Sequence, residues 1–172
     1  CMRHGDTYGT ESFGFASYSK TEGILHQLRG LIGDEMFFKA FKEYASDWAF
    51  KHPYPYDFFN TFSRVAKQDL APYFRTWFFE TWIFDHAIAD VAVKGNKTTV
   101  KVQDNGRAVH PCIVEATYED GSKDRQIIGT KKWWQGTEVT LKFSGKAVEV
   151  ILDPDIQTLD SNRDNNRWRK DK

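Results

Sequence analysis

The sequence predicts a multidomain protein in which a helical half is followed by a β-rich half. Over residues 19–84 the apolar residues recur at intervals of three and four, the spacing that places them on one face of an α-helix. From about Ile88 onward they alternate with polar residues, which is typical of strands with one buried face. The change of period near residues 84–88 therefore marks the join between the two halves.

Four helices are predicted in the first half. The first carries an apolar face made of Ile24, Leu25, Leu28, Leu31 and Ile32. Gly33 is expected to end this helix, and Asp34 to cap the second one. The stretch His52-Pro53-Tyr54-Pro55 breaks the second helix, and Pro55 suits the first position of the third. Asp69 is expected to cap a fourth helix.

Short strands separated by turn signals are predicted in the second half. The alternating apolar sets are Val91/Val93, Val100/Val102, Val114/Ala116/Tyr118, Val139/Leu141/Phe143 and Val148/Val150/Leu152. Turn-forming pairs such as Asn105-Gly106 and Asp120-Gly121 lie between them, so a small β-sandwich is expected. Residues 158–172 are mostly polar and charged, and this composition predicts a C-terminal tail.

The charge balance gives no electrostatic basis for binding nucleic acid. Lys and Arg together number 24, as do Asp and Glu, so the formal net charge is zero. No apolar run approaches the roughly 18 residues that a membrane span needs. The two cysteines, Cys1 and Cys112, are too few for a disulfide framework and are expected to be unpaired thiols. The compartment therefore stays open between the cytoplasm and the periplasm or extracellular space.

The spacing of the histidines predicts no zinc site within this chain. A helical zinc site needs two histidines four residues apart with a glutamate as base, and no two histidines here lie three to five residues apart. All five are therefore expected to be surface or capping imidazoles, and they are His4, His26, His52, His86 and His110.

Other candidate groups also have ordinary structural interpretations. Cys112 is expected to be a small buried apolar residue. Asp153-Pro154-Asp155 indicates a turn that ends a strand, because the acid ladder of a calcium loop is missing. Of the adjacent Trp133 and Trp134, one is expected to pack inward and the other to lie at a surface or interface, where it could also contact a ligand. A basic cluster is expected to belong to the solvated tail and contains Arg163, Arg167, Arg169 and Lys170.

Several motifs together resemble one family. The segment Tyr18-Ser19-Lys20, with the helical run to Leu31-Ile32-Gly33, resembles the tyrosine segment of the aminopeptidase N-like zinc metallopeptidases. Trp48-Ala49-Phe50-Lys51-His52-Pro53 followed by Asp57-Phe58-Phe59 resembles the WxFKHPxPxDFF stretch of its bacterial members. Asp153-Pro154-Asp155 and Asn165-Asn166-Arg167-Trp168 are similar to the end of the sandwich in the same subgroup. The resemblance covers nearly the whole chain.

The resemblance implies the C-terminal portion of a gluzincin aminopeptidase, which hydrolyses N-terminal residues from peptides. Residues 1–86 would be the helical end of a thermolysin-like catalytic domain, residues 87–157 an immunoglobulin-like β-sandwich, and residues 158–172 the tail. Tyr18 matches the family's tyrosine that stabilises the oxyanion of the tetrahedral intermediate. The family's zinc ligands, general base and amine-binding loop precede this tyrosine, so the resemblance places them on an upstream part of the same polypeptide.

Two expectations follow for the isolated chain. It is expected to bind no catalytic zinc and to have no peptidase activity alone, whereas the parent enzyme would carry zinc and act on peptides. The alternative is a non-catalytic binding or scaffolding module, in which the sandwich presents Trp133 or Trp134 to a protein or a glycan.

Overall fold

A computed structural model describes residue 2 and residues 5–170 of the chain. The chain divides into two compact units, Cys1–Thr81 and Trp82–Lys172. The described part of the first is helical and that of the second is β-rich, which confirms the predicted order. No helix among the described residues is long and apolar enough to cross a membrane.

The second unit begins at Trp82, and its first residues are bound to later residues of the same unit. Phe84 is buried, and its carbonyl oxygen accepts a hydrogen bond from the Ser161 main-chain N–H. The carbonyl oxygen of Ile83 accepts hydrogen bonds from the N–H groups of Arg107 and Ala108. These main-chain bonds tie the start of the second unit to its own later residues.

The helical unit begins with a long, nearly uninterrupted helix. A 3₁₀ turn at Gly5–Thr7 precedes helix α1 (Thr10–Gly14), a π-helical turn (Phe15–Ser19) and helix α2 (Lys20–Ile32). Helices α3 (Asp34–Asp47), α4 (Pro55–Ala66) and α5 (Ala71–Phe74) follow, and a second π-helical turn covers Arg75–Phe79.

Local sequence explains where these helices begin and end. Gly33, at φ 81°, separates α2 from α3, and such a left-handed backbone conformation favours glycine. Pro55 opens α4, and the Asp57 carboxylate accepts a hydrogen bond of 2.7 Å from the Tyr54 N–H. The predicted breaks at Gly33 and Pro55 are thus confirmed.

Aromatic rings form most of the core of the helical unit. Phe59 stacks on Phe74 with ring centroids 4.4 Å apart, and Phe37 contacts Phe62 edge to face at 5.8 Å. Such pairs add to the free energy of burial by about 0.5–1.5 kcal/mol each. Because these rings come from α3, α4 and α5, they hold the three helices together.

The second unit contains two antiparallel sheets. Among the described residues its strands are β1 (His86–Lys94), β2 (Lys97–Asp104), β3 (Cys112–Tyr118), β4 (Lys123–Ile128), β5 (Glu138–Phe143), β6 (Ala147–Leu152) and β7 (Arg167–Arg169). One sheet has the order β1-β2-β5 and the other β4-β3-β6-β7. A short helix, α6 (Thr130–Trp133), lies between β4 and β5 in the sequence.

Both sheets contribute to a single core. Val100 and Val102 of β2 belong to the same buried cluster as Val114 of β3 and Val150 of β6. Thr98 adds a buried polar link: its hydroxyl donates to the Gly145 carbonyl oxygen at 2.6 Å and accepts from the Ala147 N–H at 2.9 Å. Because β2 and β6 lie in different sheets, Thr98 fastens one sheet to the other.

Residues 158–170 of the segment predicted to be a polar tail are structured instead. A 3₁₀ turn covers Arg163–Asn165, and β7 pairs with β6 in the register Val150↔Trp168. The side chains of Arg167 and Arg169 each donate a hydrogen bond of 2.6 Å to Glu149 of β6. Arg167 and Arg169, which were expected to lie in a solvated tail, are therefore paired with a carboxylate of the neighbouring strand.

The turn at Asp153 joins this segment to the rest of the sheet. The buried Asp153 carboxylate accepts hydrogen bonds from the N–H groups of Gln157 and Thr158, from the Thr158 hydroxyl and from the Arg163 guanidinium. Burial alone would raise the pKa of Asp153, but these donors outweigh it and hold the pKa below its ordinary value. The structure thus has the strand-ending turn that was predicted here.

Candidate functional site

Tyr18 lies within a helix and not immediately before one, which corrects the sequence-based placement. It is the fourth residue of the π-helical turn Phe15–Ser19, and the Lys20 N–H donates to the Phe15 carbonyl oxygen, closing the wider π-type turn. The helix extends back to Thr10 because no proline interrupts residues 10–20. Single-turn π segments occur frequently at functional sites.

The Tyr18 side chain is accessible. It is 71% exposed, and its hydroxyl has no hydrogen-bond partner among the residues that the structure describes. A phenol held on a helix in this way can donate a hydrogen bond to a molecule that approaches from solvent.

A cavity of about 760 Å³ lies beside this helix, and Tyr18 is not among its lining residues. Its wall includes the aromatic rings of Tyr8, Phe15, Phe78 and Phe79. Lys20 also lines it, and burial lowers the pKa of the Lys20 amine. The segment that the sequence singled out therefore supplies two different groups, an exposed phenol and a partly buried amine.

A second cavity of about 650 Å³ lies along α4, α5 and the second π-helical turn. Its wall is mainly apolar, with Phe59, Phe74 and Phe79, and Arg75 and Asp69 add charge. Phe79 lines both cavities, so they adjoin each other on the helical unit.

No group of three or more His, Cys, Asp or Glu side chains in the described part of the chain could hold a metal ion. His26 and His52 are exposed, in agreement with their predicted surface positions, and His4 lies outside the described residues. The described residues of this chain thus do not fit a zinc ion.

The prediction of surface or capping imidazoles is wrong for His86 and His110, which are 0% and 5% exposed. The His86 ring lies between Phe84 and Trp133, with centroids 4.2 Å from each. Neither ring nitrogen of His86 has a hydrogen-bond partner among the described residues, and its Nε2 lies 3.8 Å from Oδ1 of Asp104.

Both of these histidines are neutral near pH 7. Burial lowers the pKa of His86 to about 3, with a smaller contribution from His110. Burial likewise lowers the pKa of His110 to about 4. The approach of Asp104 favours a protonated His86, but 3.8 Å is too long for a hydrogen bond, and burial raises the pKa of that carboxyl as well. Desolvation therefore outweighs the attraction of Asp104, and His86 stays neutral.

The remaining candidate groups are placed clearly. Cys112 is buried, as predicted, and burial raises the pKa of its thiol to about 12, so it is not a nucleophile at neutral pH. Trp133 is buried and Trp134 is 63% exposed. The prediction of one inward and one outward ring is therefore confirmed, although both residues lie at the end of α6 and not in a strand.

Comparisons with known proteins give a likeness in fold. No family model matches the chain, and no curated protein matches it. A solved structure with a similar fold is that of an aminopeptidase. It is the crystal structure of Legionella pneumophila aminopeptidase A in complex with aspartic acid, at a TM-score of 0.60 and 16% identity. The match covers 84% of this chain and 17% of that one, so the chain spans about a sixth of the length of this relative.

Two further matches are slight. Both are b-glucuronidase from Ruminococcus gnavus, one apo and one in complex with uronic isofagomine. Each has a TM-score of 0.29 and 16% identity and covers 52% of this chain and 15% of that one. A TM-score this low does not indicate a shared fold.

Proposed function

We propose that this chain supplies the tyrosine-bearing part of a zinc-dependent aminopeptidase that hydrolyses N-terminal residues from peptides. One observation carries the proposal: the fold likeness to an aminopeptidase extends over 84% of the chain. The motifs around Tyr18, Lys51–Phe59 and Asp153 resemble the same class of enzyme. Agreement between the fold likeness and these motifs supports the assignment more than either does alone.

In this proposal Tyr18 donates a hydrogen bond to the substrate oxygen that becomes negatively charged. Attack on a peptide carbonyl moves charge onto that oxygen, and a correctly placed donor lowers the barrier because its bond strengthens as the charge develops. The exposed Tyr18 hydroxyl has no described partner that it would have to give up. The π-helical turn fixes the position of the donor on the helix.

The proposal assigns the metal and the base to residues outside this sequence. Zinc, when bound to the parent enzyme, would activate water and polarise the scissile carbonyl. The parent's partners would be its peptide substrate and the upstream part of the same polypeptide. In the finer fold assignment the helical unit is the end of a thermolysin-like catalytic domain, and the two sheets form an immunoglobulin-like β-sandwich.

The test is the Tyr18→Phe variant of the full polypeptide, assayed with an aminoacyl chromogenic substrate. We expect kcat to fall by about 10²–10³-fold with a smaller change in KM, since oxyanion donors act mainly in the transition state. Tyr56→Phe, at another exposed tyrosine of the helical unit, is the matched control and should leave kcat unchanged. Unchanged turnover in Tyr18→Phe would overturn the assignment.

The isolated 172-residue chain provides a second measurement. We expect it to retain no stoichiometric zinc after dialysis and to release no chromophore from the same substrate. One zinc ion per chain together with substrate turnover would contradict the proposal that the metal and the base belong to residues outside this sequence.

A binding or scaffolding role is the second candidate, and the exposure of Trp134 is the observation that favours it. Trp133 is buried and therefore cannot be the residue that contacts a partner in this alternative. The upstream coding sequence discriminates the two functions. An HExxH motif about 50–70 residues before Tyr18 supports the enzyme, and a degenerate or missing motif supports the module.

A further inference from the structure

The cavity beside the first helix contains an amine in an unusual setting. Lys20 follows directly after the π-helical turn and is partly buried in the cavity wall. Lysine ammonium groups normally stay in water or pair with a carboxylate, because burying an uncompensated charge is costly. A lysine that lines an aromatic cavity therefore needs an explanation.

No ion pair compensates Lys20 within the described part of the chain. Glu11 and Glu80 line the same cavity, yet neither carboxylate lies within ion-pair distance of the Lys20 amine. Glu80 instead approaches the Arg75 guanidinium at 3.4 Å. Lys20 thus lines an open volume, its amine is partly desolvated, and no anion among the described residues pairs with it.

The walls of the cavity determine which molecules fit. Tyr8, Phe15, Phe78 and Phe79 present aromatic rings, and the volume of about 760 Å³ exceeds that of a single aromatic ring with a short substituent. Apolar and aromatic compounds gain from contact with these rings, whereas the two carboxylates disfavour anions. A neutral aromatic compound with an electrophilic group suits both the walls and the amine.

We infer that Lys20 forms a covalent imine with small neutral aromatic aldehydes that enter this cavity. The neutral amine donates its lone pair to the carbonyl carbon, and the proton of the amine passes to the carbonyl oxygen. The resulting carbinolamine loses one water molecule and leaves a C=N bond, so the step needs no oxidant or reductant. The lowered pKa of the amine adds to this chemistry, because more of the amine is neutral at a given pH.

This site is separate from the proposed peptidase role of Tyr18. Tyr18 lies two residues before Lys20 on the same helix but does not line the cavity. Residues two apart on a helix point to different sides. Loss of one activity therefore leaves the other measurable.

The experiment traps the imine on the unmodified chain. Benzaldehyde is added with cyanoborohydride, whose hydride reduces the imine to a stable secondary amine, and peptide mapping by mass spectrometry gives the labelling rate of each lysine. Lys39 and Lys94 are exposed lysines of the same chain and serve as internal controls. We expect Lys20 to be labelled severalfold faster than either at neutral pH, since the aromatic walls hold the aldehyde beside it and burial lowers the pKa of its amine. Labelling no faster than the controls overturns the inference.

Two variants test whether the cavity is responsible. Phe15→Ala removes one aromatic wall and should lower the Lys20 labelling rate severalfold, with Lys39 and Lys94 unchanged and the far-UV circular dichroism preserved. The Lys20 rate should also reach its plateau at a lower pH than the control rates. Equal labelling of Lys20 in Phe15→Ala and in the natural sequence means that the cavity does not bind the aldehyde, and this contradicts the inference.

Discussion

The Tyr73 hydroxyl donates a hydrogen bond of 2.6 Å to the main-chain carbonyl oxygen of Ile24. Both residues are buried, and 49 positions separate them in the sequence. The bond connects α5 to the middle of α2, the helix that follows the Tyr18 turn. It therefore fixes one end of the candidate site to the core of the helical unit.

We expect Tyr73→Phe to lower the free energy of unfolding by about 1–2 kcal/mol. The substitution keeps the ring but leaves a buried acceptor short of one donor, and such losses have this magnitude. The measurements are urea unfolding, which gives the stability of the unit, and amide hydrogen exchange, which reports on α2. Tyr56→Phe is the control, because the Tyr56 side chain is 60% exposed and its change should stay within about 0.5 kcal/mol. Equal stability of the two variants would refute the role assigned to this bond.

The buried histidines make the β-rich unit sensitive to acid. The pKa values of about 3 for His86 and about 4 for His110 lie below the ordinary value of 6.5. Between these values and 6.5 the unfolded chain binds more protons than the folded one. The free energy of unfolding therefore falls as the pH drops below about 6.5, by up to about 1.4 kcal/mol per pH unit for each histidine, and is unaffected by them above it.

Neighbouring carboxyls modify this dependence. The raised pKa of Asp104 acts in the opposite direction, because the folded chain then holds that proton more tightly than the unfolded one. The lowered pKa of Asp153 acts in the same direction as the histidines, but only at pH values around and below the ordinary pKa of an aspartate. Between pH 6.5 and about 5 the fall in stability thus comes mainly from His86 and His110, and Asp104 can only oppose it.

His86→Phe should reduce the acid sensitivity in this interval by about half, because one of two titrating imidazoles is removed. The new ring can pack between Phe84 and Trp133, where the imidazole makes no described hydrogen bond. The measurement is hydrogen exchange in β1 and β2 at several pH values. His26→Gln, at an exposed position, should leave the slope as it is. A slope that persists in His86→Phe would contradict the explanation.

Gly106 is expected to tolerate no side chain. A Cβ atom there would collide with the Ile83 carbonyl oxygen and would lie 3.0 Å from the Asp85 nitrogen. That oxygen cannot shift freely, since it accepts hydrogen bonds from Arg107 at 2.9 Å and Ala108 at 3.1 Å. We predict that Gly106→Ala lowers the free energy of unfolding by about 2–4 kcal/mol, as expected for a forced backbone displacement.

Gly136→Ala is the matched control for this change. Nothing lies within 4 Å of a Cβ atom at Gly136, so the free energy of unfolding should change by no more than about 0.5 kcal/mol. Urea unfolding of the β-rich unit measures both variants. If Gly106→Ala is as stable as Gly136→Ala, the close approach at Ile83 does not constrain the backbone.

The parts of the fold that depend on local chemistry could be predicted from the sequence. Gly33 and Pro55 limit the backbone by their own structure, and α3 and α4 begin where these residues place them. The valines of β2, β3 and β6 face the common core because successive side chains of a strand point to opposite faces of its sheet. By contrast, residues 10–19 have no apolar periodicity, so the helix that contains Tyr18 could not be predicted from the sequence.

The parts that depend on distant contacts could not be predicted. Strand β4, with the sequence KDRQII, alternates in burial, but its first four side chains are polar, so the sequence shows no apolar alternation there. The His86 ring packs on the distant Trp133 as well as on the nearby Phe84, and the His110 ring contacts Phe84, so the burial of both imidazoles depends on contacts that are not local in the sequence. The Lys20 cavity is likewise built from segments some sixty residues apart, so only the folded chain brings that amine and those rings together.

Strand β7 has a practical consequence for where the polypeptide can be cut. It covers the outer edge of β6, whose residues Val150 and Leu152 are buried. A recombinant product that stops at residue 157 would expose a row of unsatisfied main-chain groups beside apolar side chains, the kind of surface on which molecules add to one another as sheets. Affinity tags and fusion partners at this end therefore belong after Arg169, with the strand left in place.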